Sequence, residues 1–254
     1  MADFHKVNIL GVEIHKVVKK DVLSTVEKWI NSKAGPRMIC TPNADHIIKA
    51  LRDKEFLQII NQADLSMPDG MAVVYASRIL RQPLSETVTG RLLPYDLCRM
   101  AADRGWSVFF LGGNPGAAEA AANRLQLAHP KLRVAGCFCP RFGFVFEDEE
   151  DRKAVQRVRE AKPDILFVGF GGPKQEKWIK AHLDEINVPV SIGIGYAFNV
   201  LGGLVKAPPQ WATRVGLEWL IRLIREPRRL WRRYLIDGAL FIILVLRSKF
   251  MGKK

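Results

Sequence analysis

Short apolar runs alternate with longer segments of helical periodicity along most of this chain, and this alternation is the feature that most constrains its fold. Such alternation is typical of α/β proteins, in which crossover helices join parallel strands. We therefore predict an α/β fold with a mostly parallel sheet flanked by helices. The predicted strands are residues 7–10, 37–40, 63–66, 107–111, 133–138, 165–168 and 190–194, and the predicted helices are residues 21–31, 45–61, 70–79, 94–104, 116–129, 148–161 and 175–186.

Several predicted strands end directly in turns that are rich in glycine, proline, asparagine or aspartate. The carboxyl ends of parallel strands meet at one edge of the sheet, where open α/β proteins bind their ligands. The sequence therefore predicts a binding site at that edge. The turns are TPNAD at 41–45, GGNPG at 112–116, GFGGPKQE at 169–176 and GYAFN at 195–199.

Positive charge is concentrated near the end of the chain. The 254 residues carry 39 Lys and Arg against 26 Asp and Glu, a net charge of +13. From Lys206 onward there are 12 basic and three acidic residues, so this part carries +9 and the first 205 residues carry +4. The excess indicates an anionic partner: nucleic acid, an anionic membrane or a phosphate-bearing substrate.

A boundary is predicted at KAPPQW, residues 206–211, because its two prolines interrupt helix formation. We therefore expect an α/β core at 1–205 and an Arg- and Trp-rich helical appendage at 206–254. The apolar stretch at 238–246 is shorter than the roughly 20 residues that a membrane-spanning helix needs.

The turn after the strand at 107–111 suits phosphate binding. Gly112 and Gly113 permit close approach of the backbone, and Asn114 precedes an alanine-rich helix whose N-terminus offers free N–H groups. A tight strand-to-helix turn without a ligand would have the same composition, so both interpretations stay open.

The turn after the strand at 165–168 is more specific. Gly171 and Gly172 expose backbone amides, and Lys174 and Gln175 carry groups that can contact a phosphate or a sugar hydroxyl. The alternative is an ordinary helix start with Glu176 in its first turn. The combination of glycines and polar residues after an apolar strand favours a functional turn.

Acidic and amide side chains occur in two further turns. Asn43 or Asp45 can cap the helix that follows them, and Asp69 can cap the helix that begins near Gly70. Asp69 also ends an apolar segment, where a carboxylate at a ligand site can act as general base toward a hydroxyl.

Metal and cofactor signatures are absent from the sequence. The five histidines have no metal-ligand spacing, no Asp-x-Asp follows an apolar strand, and no GxGxxG follows an early strand. The four cysteines do not form a disulfide framework, and the N-terminus does not resemble a signal peptide. We predict no metal, no cofactor and a protein on the cytoplasmic side.

The appendage has the pattern of a basic amphipathic helix. Arginines suit anionic lipid, and Trp and Tyr suit the headgroup level of a membrane. A helix packed on its own domain with a solvated basic face is the alternative. The apolar and aromatic face comprises Leu230, Trp231, Tyr234 and Leu235, and the basic face comprises Arg228, Arg229, Arg232 and Arg233.

A basic nucleic-acid-binding protein is the alternative function. The sequence lacks a helix-turn-helix, an RNA-binding sheet motif and a zinc finger. The arginines also lie beside an apolar tail. We therefore expect no nucleic-acid partner.

Seven motifs in order resemble the WecG/TagA/CpsF family of bacterial glycosyltransferases: TPNADH, PDGM, VTG, GFGGPKQEKW, GIGYAFN, KAPPQW and GLEWLIRLIREPRRLWRRYL. The resemblance covers residues 7–235. It implies a Rossmann-like core whose C-terminal appendage docks on the cytoplasmic face of the bacterial plasma membrane and completes the site, and it allows a homo-oligomer.

The implied reaction transfers a sugar from a UDP-sugar to a saccharide on a polyprenyl diphosphate, with inversion at the anomeric carbon and without a metal. The sugar is of the N-acetylmannosamine type, for teichoic acid or a related polymer, or a hexose for exopolysaccharide.

The resemblance also implies roles for residues. Asp69 corresponds to the proposed catalytic base, with Thr41 in a neighbouring substrate-contacting turn. The expected substrate-binding residues are Asn43, Gly112, Gly113, Asn114, Gly171, Gly172, Lys174, Gln175, Glu176 and Arg91, together with Arg214, Arg222, Arg225 and Arg228 from the appendage.

Two positions depart from the family pattern. Thr87 stands where the family often has Arg, a charge that Arg91 can supply, and Asn199 stands where many members have Asp. Both changes bear on the choice of substrate, so the donor sugar is not carried over.

Overall fold

The computed structural model describes residues 4–33, 35–85, 87–88, 92–209, 212 and 216–251. It is an α/β structure in which helices flank a parallel sheet, as the alternating pattern predicts. The strands are β1 (Lys6–Ile9), β2 (Val12–His15), β3 (Arg37–Cys40), β4 (Leu65–Ser66), β5 (Ser107–Gly112), β6 (Arg133–Phe138), β7 (Ile165–Gly169) and β8 (Val190–Gly193).

Six of these strands form one parallel sheet in the order β4-β3-β8-β7-β5-β6. The last strand in sequence, β8, lies between β3 and β7, and Met38 is paired with Ser191. The turns that follow β3, β8, β7 and β5 are therefore side by side at the carboxyl edge of the sheet.

The first predicted strand belongs to a separate antiparallel hairpin, β1–β2, and not to the sheet. Leu10 and Gly11 form its two-residue turn, with φ of +53° and +90°. Positive φ at both positions matches the twist of a tight hairpin. Strand β2 was not predicted, although Val12 and Ile14 continue the alternation of Val7 and Ile9.

The helices of the core follow the predicted positions, with two exceptions. The short helix Ala197–Leu201 lies partly in the segment that was predicted as a turn. A single helix was expected at 45–61, but the chain breaks at Asp53, which has φ −130° and ψ 98° and accepts a hydrogen bond from the Phe56 N–H at 3.0 Å. Asp53 therefore caps a new helix. The helices are α1 (Lys19–Ser32), α2 (Ala44–Arg52), α3 (Lys54–Gln62), α4 (Met71–Ile79), α5 (Leu93–Arg104), α6 (Ala117–Ala128), α7 (Glu149–Ala161), α8 (Lys174–Ile186) and α9 (Ala197–Leu201).

Both faces of the sheet are buried. Val108 and Phe110 of β5 join the apolar cluster on one face, whereas Phe109 and Leu111 join the cluster on the other. This explains the continuous apolar runs of the sequence, because a strand covered on both sides has no polar face. Helices α1, α5, α6 and α9 cover one face, and α2, α3, α4, α7 and α8 cover the other.

The C-terminal segment is helical, and a new helix begins at Pro227, whose ring suits the first position of a helix. It comprises α10 (Glu218–Arg225), α11 (Pro227–Trp231), a π-helical turn (Arg232–Asp237) and α12 (Gly238–Met251). Phe241 and Val245 of α12 are buried in the core cluster. Across the residues that the structure describes, no helix has both the length and the apolar character to span a membrane.

Candidate active site

A cleft of about 560 Å³ lies at the carboxyl edge of the sheet. The turns after β3, β4, β5, β7 and β8 form its floor, and the C-terminal segment forms one wall. Twelve predicted site residues line it: Thr41, Asn43, Asp69, Gly112, Gly113, Asn114, Gly171, Gly172, Lys174, Gln175, Arg222 and Arg225.

The turn after β3 carries Thr41 and Asn43. The Thr41 hydroxyl donates to the carbonyl of Gly193, the last residue of β8, at 3.4 Å. Asn43 is the N-cap of α2, and its side-chain oxygen accepts the His46 N–H at 3.1 Å. The predicted cap is therefore present, and its residue also faces the cleft.

Asp69 lies next to this turn because β3 and β4 are parallel neighbours. Its backbone N–H donates to the Pro42 carbonyl at 3.0 Å, and its side chain is half-buried at the cleft. The N-cap of α4 is Gly70, with φ +91°. Asp69 is therefore not the N-cap of α4, which was the alternative interpretation of this residue.

The glycines after β5 are required by packing as well as by conformation. Gly112 and Gly113 have φ of +95° and +88°. A Cβ on Gly112 would lie 2.7 Å from the Phe170 ring, and one on Gly113 would lie 3.0 Å from Phe198. These contacts let the turns after β5, β7 and β8 approach closely and leave backbone at the cleft surface.

In the turn after β7, Lys174 is held by the segment that follows β6. Its ammonium group contacts the Phe144 carbonyl and lies over the ring of the same residue. Burial lowers the pKa of Lys174. The cation lines the cleft, but this partner fixes its position.

Gln175 joins two turns of the floor. Its side-chain oxygen accepts the N–H groups of Gly171 at 3.2 Å and Gly195 at 2.9 Å. Its neighbour Glu176 is buried behind the floor and does not line the cleft. Burial raises the pKa of Glu176 to about 7.

The C-terminal arginines divide into two groups. Arg222, Arg225, Arg229 and Arg233 line the cleft, whereas Arg228 is exposed outside it. The four lining residues are three or four positions apart in the sequence, which is the spacing of one helical face, although the chain breaks at Glu226 between α10 and α11. That spacing is a signal by which the sequence analysis could have found Arg229 and Arg233. The predicted residues Arg91 and Arg214 lie outside the described part of the chain.

Two contacts attach these arginines to the core. The Arg229 guanidinium lies 4.2 Å from the centre of the Tyr196 ring, in the turn after β8. Nε of Arg233 is 3.7 Å from a carboxylate oxygen of Asp45. The sequence analysis interpreted Asp45 only as a cap and did not place Tyr196 at the site.

Positive charge predominates in the described lining. Basic side chains outnumber acidic ones by eight to four, an arrangement that suits an anionic ligand. The basic residues are Lys49, Arg141, Lys174, Lys206, Arg222, Arg225, Arg229 and Arg233, and the acidic residues are Asp45, Asp69, Glu218 and Glu226. Within the described ranges, no three His, Cys, Asp or Glu residues gather as potential metal ligands.

Comparison with known proteins identifies the family of the chain. The sequence model of the Glycosyl transferase WecG/TagA/CpsF family matches residues 7–254. The chain is also 31% identical to N-acetylglucosaminyldiphosphoundecaprenol N-acetyl-beta-D-mannosaminyltransferases of Staphylococcus aureus strains MW2 and NCTC 8325 / PS 47. Each match spans 250 residues, 98% of this chain and 95% of the relative. The chain belongs to the WecG/TagA/CpsF family of glycosyltransferases.

Proposed function

We propose that this glycosyltransferase moves a sugar, of the N-acetylmannosamine type or a hexose, from a UDP-sugar to a saccharide carried on a polyprenyl diphosphate. The names of the Staphylococcus aureus relatives support the acceptor class and the N-acetylmannosamine type. The observation that carries the proposal is that Asp69 and the cationic C-terminal arginines line the same cleft.

The UDP moiety would occupy the glycine-lined floor. Backbone groups of Gly112, Gly113, Gly171 and Gly172 line the cleft there. Glycine-rich turns that precede helices let a phosphate approach the backbone closely, near the positive end of the helix dipole. Arg222 and Arg225 would neutralise the charge that develops on the departing diphosphate, in the role that a divalent metal has elsewhere.

Asp69 would act as the general base. Its carboxylate accepts the proton of the acceptor hydroxyl while that oxygen attacks the anomeric carbon. The new C–O bond forms as the bond to the UDP oxygen breaks, and UDP leaves with the bonding electrons. Attack opposite the leaving group inverts the anomeric configuration. Thr41 and Asn43 would orient the substrate beside this base.

The C-terminal segment would bring the cleft to the cytoplasmic face of the plasma membrane, where a lipid-linked acceptor is held. Apolar side chains on this segment are exposed beside its arginines, a combination that suits an anionic lipid surface. The exposed residues are Trp219, Leu220, Ile224, Trp231, Leu235, Ile236, Ile242, Ile243, Leu246, Phe250 and Met251.

Release of UDP by the full-length protein tests this function. The assay supplies an N-acetylglucosamine-diphosphate polyprenyl acceptor in liposomes, each of several UDP-sugars in turn, and EDTA. We expect acceptor-dependent release from one donor, with a product of inverted configuration. If the folded protein releases no UDP from UDP-N-acetylmannosamine, UDP-glucose or UDP-galactose, the proposal is wrong; loss of activity in EDTA alone would reject only the metal-independent mechanism.

A further inference from the structure

Glu176 is a buried carboxylic acid directly behind the floor of the cleft. Its exposure is only 2%, and one carboxylate oxygen, Oε1, accepts a hydrogen bond from the Gln175 side-chain amide at 2.7 Å. The other oxygen, Oε2, is buried and has no hydrogen-bond partner among the described residues. A buried acid costs stability, so its presence requires a reason.

The first contact determines which way the Gln175 amide faces. Glu176 accepts from the amide nitrogen, and this leaves the amide oxygen to accept from Gly171 and Gly195. The reversed amide would place N–H donors against those two backbone N–H groups. The acid therefore stabilises the one orientation in which Gln175 holds the turns after β7 and β8 together.

On its other side, Glu176 faces His46. The His46 Nε2 atom is 3.9 Å from Glu176 Oε1, and its Nδ1 accepts the backbone N–H of Asn43 at 3.3 Å. Burial, together with the positive charge of Arg233, lowers the pKa of His46 to about 3, so the ring is neutral at physiological pH. Because Nδ1 is an acceptor, the ring proton is on Nε2. The distance to Glu176 is longer than a hydrogen bond, so His46 packs beside the acid without bonding to it.

Two glycines leave the space in which the side chains of His46, Gln175 and Glu176 lie. A Cβ on Gly172 would lie 2.1 Å from His46 Nε2, and one on Gly193 would lie 2.7 Å from the Gln175 amide nitrogen and 2.9 Å from Glu176 Oε1. A side chain at either position would displace the polar groups. The absence of Cβ atoms here is thus an observation independent of the hydrogen bonds.

We infer that Glu176 is a positioning residue, which orients Gln175 and through it the turns after β7 and β8. The hydrogen bonds from Gln175 to Glu176, and from Gly171 and Gly195 to Gln175, join the turns after β7 and β8 in the floor of the cleft. Glu176 does not contact the substrate. The inference rests on the proposed function only for its effect on the rate of sugar transfer.

The kinetic test compares Glu176→Met, which keeps the side-chain length but removes the acceptor, with Glu176→Gln, which keeps an acceptor oxygen. We expect Glu176→Met to lower kcat at least tenfold with a donor KM changed less than threefold, because a misplaced Gln175 affects alignment more than donor binding. Glu176→Gln should retain at least a third of the activity. Glu185→Met, on an exposed part of the same helix, is the matched control.

A double variant distinguishes positioning from general support of the fold. If Glu176 acts through Gln175, Glu176→Met should change kcat less than twofold in a Gln175→Ala background. Effects that multiply in the double variant would overturn the inference, as would full activity of folded Glu176→Met. If Glu176→Met does not fold, Glu176→Asp, which withdraws the carboxylate, is subject to the same criteria.

Hydrogen exchange tests the inference without sugar transfer. In Glu176→Met or Glu176→Asp, the amides of Gly171 and Gly195 should exchange at least tenfold faster, whereas those of β5 should not change. Unchanged exchange at both glycines would overturn the positioning role. Absence of transfer by the wild-type protein would instead reject the proposed function, so the two failures are distinguishable.

Discussion

Apolar residues are buried in the sheet core but largely exposed in the C-terminal segment. In the core, neighbouring residues of one strand, such as Phe109 and Phe110, are buried on the two faces of the sheet. In α10 no residue is buried, and Ile224 is 70% exposed. The core therefore buries its own apolar surface, whereas the C-terminal segment leaves apolar surface exposed.

Helix α12 has both buried and exposed apolar residues. Phe241 is 3% exposed and Val245 is also buried, and these residues, one turn apart, pack with the core. Ile242 is 58% exposed, and Leu246, one turn further along, is exposed too. One face of α12 therefore belongs structurally to the core, and the opposite face belongs to the apolar surface of the C-terminal segment.

The largest effect is expected where the two regions face each other across the cleft. Asp69→Asn removes the proposed base and should lower kcat by about 10²–10⁴-fold, while UDP binding, measured by calorimetry, should be retained. Asp184→Asn, at an exposed position on α8, is the control. Turnover within threefold of wild type would show that Asp69 is not the base.

On the buried face of α12, Phe241→Ala should decrease the free energy of unfolding by about 3 kcal/mol, because it creates a cavity against the core. Ile242→Ala, one residue away on the exposed face, should change it by less than about 0.5 kcal/mol. Urea denaturation measures both. Equal effects would contradict the division of the helix into two faces.

On the exposed face, the double variant Ile242→Glu/Leu246→Glu should bind liposomes at least tenfold more weakly. Each apolar side chain contributes about 1.5–3 kcal/mol on leaving water, and the added carboxylates are repelled by anionic lipid. Sedimentation with vesicles containing phosphatidylglycerol measures the binding. Unchanged binding, with unchanged thermal stability, would mean that this face does not contact the membrane.

The smallest effect is expected at the contact between Asp45 and Arg233, which joins α2 to the C-terminal segment. A double-mutant cycle with alanine should give a coupling of about 1 kcal/mol at pH 7. Burial acts to raise the pKa of Asp45, but Arg233 and Lys49 outweigh it and the pKa is lowered. The coupling is therefore present above the ordinary pKa of Asp and should disappear as the pH falls and Asp45 is protonated. A coupling that is the same at pH 3 and pH 7 would contradict an ionic contact.

Much of the fold could be predicted because its signals are local. The runs that form β3 to β8 are apolar over strand length, and the turns after them are marked by glycine and proline. Two predictions were wrong although the sequence holds local signals against them. The cap at Asp53 begins a new helix where the apolar periodicity alone would continue the previous one. The turn at Leu10 and Gly11 creates a hairpin.

The site was predicted less completely. Thr41, Asn43, Asp69 and Gln175 all line the cleft, as expected from the turns in which they occur. Gln175 and Glu176 are equally buried, but only Gln175 lines the cleft, and this difference could not be predicted from two adjacent residues of one motif. It depends on the direction in which α8 leaves β7, and on the packing of α3 and β8 against that helix.

By itself the sequence determined the class of fold, the sites of the turns and the family to which the chain is similar, since composition and motif order are properties of short segments. Only the tertiary structure decided which turns meet. The Thr41 hydroxyl and the Gly193 carbonyl are 152 positions apart in the chain and 3.4 Å apart in space. Their contact exists because β8 is inserted between β3 and β7, and this pairing of distant strands is set by the packing of the whole sheet and not by any local signal.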